Sequence, residues 1–310
     1  MLPIKLKIED SFFIDEERLG YTVSSRMKKI WAVELDLLNE FSVVCDKYQL
    51  RWFVHAGTML GAIRHKGFIP WDDDIDIVMP RTDYEKLCEL GPDAFGYPYF
   101  YQTEETDKFF CRNFARLRNS KTTALITWEK MFEYPYNQGV FIDIFPMDNL
   151  PDDETERESF FCQLTNLDNR AWQWRNMVHF YSPKTDKGWL KKVSYYVKHL
   201  FYKYLSPKKG DYHYYLREHH ALATKYNNME TKCVGESVIS PLGRWIWKRE
   251  WVEQVEYVPF EMLQVPVPVG YEGCLESGFG PDWRTPKHVS NMHGNVFFDV
   301  DKPYTEYIKN

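Results

Sequence analysis

Ile69-Pro-Trp-Asp-Asp-Asp-Ile-Asp-Ile-Val-Met79 is the stretch from which the fold of this 310-residue chain is read. Pro70 forces an extended approach to Trp71, and from Asp74 onward acidic and branched apolar residues alternate. Ile75, Ile77 and Met79 point to one side of a strand, while Asp74, Asp76 and Val78 point to the other. A strand of this kind is buried on at least one face, which separates its carboxylates from an ordinary solvated acidic run. Asp72, Asp73, Asp74 and Asp76 repel one another unless positive charge neutralises them, and carboxylates two apart on a strand bracket a divalent cation. Mg²⁺, hard and oxygen-seeking, is the expected ion, with Mn²⁺ as a substitute.

Further along, Gly139-Val-Phe-Ile-Asp-Ile-Phe145 places Asp143 alone in an apolar run. A buried carboxylate there needs a charge or a hydrogen-bond partner, and a metal shared with Asp74 and Asp76 supplies one. Asp74, Asp76 and Asp143 are therefore the expected metal ligands and catalytic residues, Asp143 orienting or deprotonating an acceptor hydroxyl. Such a centre serves phosphoryl transfer, in which one or two cations offset charge on a diphosphate donor.

The surroundings fit that chemistry. Residues 24–48 carry Ile30, Val33, Leu37, Leu38, Phe41, Val44 and Tyr48 at spacings of three and four, with Ser24 or Ser25 as cap, and predict a helix that covers a sheet. Arg51 to His55 predicts a short strand, and Gly57-Thr58 a break before a helical turn at 59–63, with amides and hydroxyl placed to hold phosphate oxygens. Arg64, His65, Lys66 and Arg81 flank the acidic strand as diphosphate partners. Arg81 to Leu90 predicts a helix with Thr82 and Glu85 in a capping box. Residues 109–118 and 139–145 predict strands, 153–180 and 188–205 helices, and the Pro-rich part from Val255 onward loops and short helices.

The stretch from His55-Ala-Gly-Thr-Met-Leu-Gly-Ala-Ile-Arg64 through His65-Lys-Gly-Phe-Ile-Pro-Trp-Asp-Asp-Asp-Ile-Asp-Ile77 closely resembles the LicD family of phosphotransferases. Arg118-Asn-Ser-Lys-Thr122, Gly139 to Asp148 and Val258-Pro-Phe-Glu261 resemble family patterns too. Phe279-Gly-Pro-Asp-Trp283 is similar to a later one, with Phe where the family often has Tyr, and His293 follows it. The resemblance implies an α+β fold with a nucleotidyltransferase-like mixed sheet flanked by helices, over residues 1–150, and a helical, Pro-rich elaboration over 151–310. It implies Gly57 and Thr58, with Asp74, Asp76 and Asp143, as the site, and Arg64, His65, Lys66, Arg81 and Arg118 are expected to bind the donor beside them. It also implies transfer of a phospho-alcohol, phosphocholine foremost, from a CDP-linked donor to a hydroxyl of a cell-surface glycan or teichoic-acid-like precursor, with release of CMP. CDP-ribitol or CDP-glycerol chemistry, or an inactive glycan-binding scaffold, are the alternatives.

Composition narrows the partners. A net charge of −6 argues against a nucleic-acid binder. Six widely spaced cysteines make no metal knuckle and no disulfide framework. Residues 1–10 carry scattered charges and no apolar signal core, so a cytoplasmic location is expected. Against the acidic whole, Lys184 to Lys209 holds eight lysines and one aspartate among aromatics. That pattern suits peripheral contact with an anionic membrane at its inner face, or an anionic or lipid-linked glycan acceptor.

Overall fold

The computed structural model describes residues 2–127, 134–179, 189–205, 211–238, 244–288 and 296–308. An N-terminal hairpin of β1 (Glu16–Arg18) and β2 (Tyr21–Val23) leads into helix α1 (Ser25–Tyr48). Ser24 caps α1, its hydroxyl accepting from the Met27 amide at 3.2 Å, as its spacing predicts. Residues 30–38 are all buried, more than one amphipathic face needs, because the N-terminal segment wraps the helix. The amides of Lys5 and Leu6 both donate to Asp36, and so does the Tyr99 hydroxyl.

Strand β3 (Phe53–Val54) is followed at once by α2 (Ala56–His65). Gly57 and Thr58 thus stand in the first turn of a helix rather than in a break before one, with Ala56 taking a left-handed φ of 43° to make the corner. At the other end of α2 a Cβ on Gly61 would lie 2.4 Å from the Gly67 carbonyl, so glycine lets the next segment fold tightly back over the helix. That segment delivers β4 (Asp76–Pro80), then α3 (Arg81–Ala94). The expected Thr82–Glu85 capping box does not form: α3 starts directly after Pro80 without a side-chain cap, and Glu85 instead meets His220 at 3.0 Å.

β5 (Tyr99–Gln102) and β6 (Ala115–Asn119) form an antiparallel pair, β7 (Thr123–Ile126) follows, and β8 (Val140–Leu150) is the spine of the sheet. β8 pairs antiparallel with β6 in its first half and parallel with β4 in its middle. Its buried Ile142 and Ile144 share a layer with Ile75, Ile77 and the α1 side chains. After α4 (Glu154–His179), α5 (Trp189–Leu200) and α6 (His213–Ala223), the chain returns as β9 (Cys233–Glu236) and β10 (Ile246–Lys248). β9 pairs with the end of β8 and β10 with β9, completing a seven-stranded mixed sheet with helices against it, an α+β fold.

The Pro-rich C-terminal part departs from the expected loops. After α7 (Arg249–Val252) come β11 (Val255–Phe260) and β12 (Leu263–Pro268), a two-stranded hairpin that includes Pro259, Pro266 and Pro268. In a ribbon of two strands each chain has a free edge, and a residue without an N–H is tolerated there. The hairpin's Phe260, Val265 and Val267 are fully buried in the main core. α8 (Tyr271–Phe279) and β13 (Val296–Asp299), which pairs with β7, end the fold.

Candidate active site

Because β4 and β8 run parallel with Asp76 opposite Asp143, the two carboxylates project from adjacent strands on one face. The bridge between them starts one residue earlier, where the Asp143 amide donates to the Ile75 carbonyl at 2.9 Å. On the far side of β8, Arg116 is the register partner of Asp143, and its guanidinium Nε reaches the Asp143 carboxylate at 2.5 Å. On the other side the His55 amide donates to the Asp76 carbonyl at 2.9 Å. A row of His55, Asp76, Asp143 and Arg116 therefore crosses the sheet.

Asp72, Asp73 and Asp74 precede β4 in an extended segment that is firmly placed. The Trp31 indole donates to the Asp72 carbonyl at 2.9 Å, and its ring stacks on Phe68 at 4.5 Å. The Asp72 carboxylate lies over Gly57, where a Cβ would stand 2.7 Å from its oxygen. The N-terminal turn of α2 thus faces negative charge, as its dipole favours. Thr58 adds a second tie, its hydroxyl accepting from the Asp76 amide at 2.9 Å.

Beneath this loop sits a carboxylate that the sequence reading passed over. Glu34 of α1 is fully buried, and its Oε2 has no hydrogen-bond partner. Burial first, then the charges of Asp73, Asp74, Asp72 and Asp76, hold its carboxyl well above the usual range. Asp36, two residues on, shows what a structural buried carboxylate looks like, with three donors around it. Glu34 has the opposite setting, an acid among acids. Its signal was present in the sequence: Glu34 stands on the same stripe as Ile30, Leu37, Leu38 and Phe41, where an apolar residue is expected.

Residues 49–166 match the LicD/FKTN/FKRP nucleotidyltransferase domain. The chain is 28% identical over 259 residues to the lipopolysaccharide cholinephosphotransferase LicD of Haemophilus influenzae, covering 81% of this chain and 89% of that protein. It is also 26% identical to an uncharacterised protein of Rickettsia prowazekii, over 54% of this chain and 64% of the relative. In residues 49–166 this chain carries a LicD-family domain. Its LicD motifs meet around α2: Glu261 binds Arg18 at 2.5 Å and the Phe68 amide at 3.1 Å, pinning the turn before the acidic segment. The Trp283 carbonyl accepts from Arg64 at 2.9 Å at the end of the same helix.

The basic residues expected to flank the LicD site divide. Arg64 is half-buried and hydrogen-bonds to His65 at 2.8 Å, and Lys66 is exposed beyond the helix end. Arg118 is buried against Phe141 and donates to the Gly139 carbonyl at 2.6 Å and to Gln102, tying β6 to the segment entering β8. Its neighbour two residues earlier, Arg116, is the one that reaches Asp143. Arg81 is not brought to the acidic cluster. It stands past the opposite end of β4, roughly 16 Å along the strand from Asp76, in a bidentate pair with Asp148 at 2.8 and 2.6 Å. There it lines a cavity of about 740 Å³ with Asn149, His220 and Arg249. His293 lies outside the described residues.

Beside Arg81, burial and that arginine's charge push the His219 imidazole down to about 3. The unfolded chain titrates this group near 6.5 and so takes up the proton first as pH falls. The contribution of neutral His219 is whole above that value and is lost as pH drops toward the folded value. Replacing His219 with glutamine is expected to change relative stability in the variant's favour by about 2 kcal/mol between pH 8 and pH 5. Urea midpoints of both proteins at the two pH values check this, and parallel curves would refute it.

Among the described residues no three carboxylate, imidazole or thiolate groups already converge on one point. The donor chemistry nonetheless fits a hard cation. Asp76 and Asp143 are adjacent and in register, and both are oxygen donors of one sign.

Proposed function

We propose that this chain transfers phosphocholine from a CDP-linked donor to a hydroxyl of a lipopolysaccharide-type cell-surface glycan, releasing CMP. The observation that carries the reading is the in-register pair Asp76 and Asp143 beside the acidic segment 72–74. The likeness to the Haemophilus influenzae cholinephosphotransferase over most of both chains supports the choice of phospho-alcohol. Asp74 and Asp76, with Asp143, would hold Mg²⁺, which when bound supplies charge neutralisation for a donor diphosphate. Asp143 accepts the proton of the acceptor hydroxyl, and Arg116 fixes the direction in which that carboxylate points. Release of Asp143 from Arg116 and its use at the acidic site are in competition, so the pair sets how readily Asp143 is engaged. Trp31, Phe68 and Glu261 hold the acidic segment still, so that little ordering remains for the substrate to induce.

The test is incubation with CDP-choline, CDP-ribitol and CDP-glycerol in turn, with Mg²⁺ and lipopolysaccharide or teichoic-acid acceptors, reading CMP. CMP release with CDP-choline far above the other two is expected. Release with another donor alone would overturn the phosphocholine assignment, and silence with all three from folded protein would overturn the transferase reading.

A further inference from the structure

Helix α5 and the turn of π-helix that extends it, Phe201–Leu205, bury no residue. Trp189, Leu190, Val193, Val197, Tyr204 and Leu205 are between 50% and 75% exposed. At about 100° per residue, Trp189, Leu190, Val193 and Val197 fall within an arc of about 100° on one side of the helix. A helix packed on its own protein turns such a stripe inward. Here the attachment is made by the other side: His199 Nδ1 meets the Met177 carbonyl at 2.6 Å, and Tyr202 packs edge-on against Trp174 at 4.7 Å. The apolar stripe therefore faces away from the body of the protein.

Charge identifies what covers it. From Trp189 to Leu205 there are four lysines, at 191, 192, 198 and 203, all exposed, and no acidic residue, in a chain of net charge −6. Apolar and aromatic residues on one side with lysines on the other is the composition of a helix that lies in a bilayer interface. Long lysine stems reach the headgroup level while the rings sit below it. A second copy of the same helix offers apolar side chains but no negative charge for the four lysines, whereas an anionic surface offers both. Among the described residues no helix is long and apolar enough to cross a membrane, so the contact is one that lies on the surface.

We propose that Trp189–Leu205 is a docking face for an anionic phospholipid surface. It stands apart from the transfer reaction, because binding is read without donor or acceptor.

The experiment is sedimentation of the full chain with vesicles of phosphatidylglycerol and phosphatidylcholine in equal parts, and with pure phosphatidylcholine. Binding to the anionic vesicles, at least about tenfold weaker on the neutral ones, is expected. A Lys191→Glu, Lys198→Glu, Lys203→Glu variant should lose about 100-fold or more of the anionic binding. A Leu190→Ser, Val193→Ser, Val197→Ser variant should lose binding while keeping its lysines. Circular dichroism and CMP release on a soluble acceptor should match the unsubstituted chain for both. No binding to either vesicle, or equal binding by both variants, overturns the proposal. Self-association that the serine variant abolishes overturns it in favour of a second copy.

Discussion

Replacing Asp76 with asparagine is expected to lower CMP release at least about 10²–10³-fold while the chain stays folded, as circular dichroism reads it. The two halves of the expectation have different causes. Turnover falls because the asparagine amide cannot supply the negative charge that would hold a cation for a donor diphosphate. Stability holds because the backbone bonds at the site use main-chain atoms. The Asp76 amide still donates to Thr58 Oγ1 and the Asp76 carbonyl still accepts from the His55 amide. Asp76 is also one of four aspartates whose charge opposes ionisation of buried Glu34. Asp74→Asn should behave alike. Mg²⁺ titration by calorimetry supplies a readout other than activity, and both variants should bind the ion at least about tenfold more weakly. Retained turnover in a folded Asp76→Asn protein would remove this carboxylate from the chemistry.

The centre of this site was legible because two short-range signals coincide there. Alternation from Asp74 to Met79 gives a strand and the direction of each side chain, and the lone Asp143 in an apolar run announces a buried charge. The in-register meeting of Asp76 and Asp143 follows from β4 and β8 being neighbours, and those strands are nearly seventy residues apart. The need of a lone buried carboxylate for a charge partner, rather than periodicity, joined them. What stayed hidden depends on partners distant in sequence. Nothing local distinguishes Arg116 from Arg118, two residues away on the same strand, yet one binds Asp143 and the other binds Gln102 and the Gly139 carbonyl. Arg81 follows the acidic strand closely in sequence, but the extended backbone carries it past the opposite end of β4, where Asp148 takes it. The C-terminal prolines read as loop because proline rarely enters sheets, and only a two-stranded hairpin accommodates three of them. Glu34 is the instructive case, since its position on an apolar stripe was visible but its meaning required knowing that the Asp72–Asp76 segment lies against that stretch of α1.

Replacing Arg116 with methionine is expected to cost about 3–5 kcal/mol of unfolding free energy in the absence of added divalent cation. Arg116 and Asp143 are both buried, and their contact at 2.5 Å is the only ion pair formed by Asp143 among the described residues. Methionine keeps much of the side-chain length, and with it the packing against Phe110, Phe114 and Phe141 that the guanidinium now makes. The cost is therefore that of a carboxylate left in the interior without a counter-charge. Two further measurements separate this cause from simple misfit. The double variant Arg116→Met, Asp143→Asn should recover most of the loss, because the charge that needed pairing is gone. Saturating Mg²⁺ should also recover part of it in the single variant but not in the double one, since a cation at the acidic site can take over the role of the guanidinium toward Asp143. A single variant that loses less than about 1 kcal/mol, with losses that simply add in the double, would mean that the pair is not energetically coupled. Asp143 would then owe its place to the strand register alone, and the competition between arginine and cation for its carboxylate would have no basis.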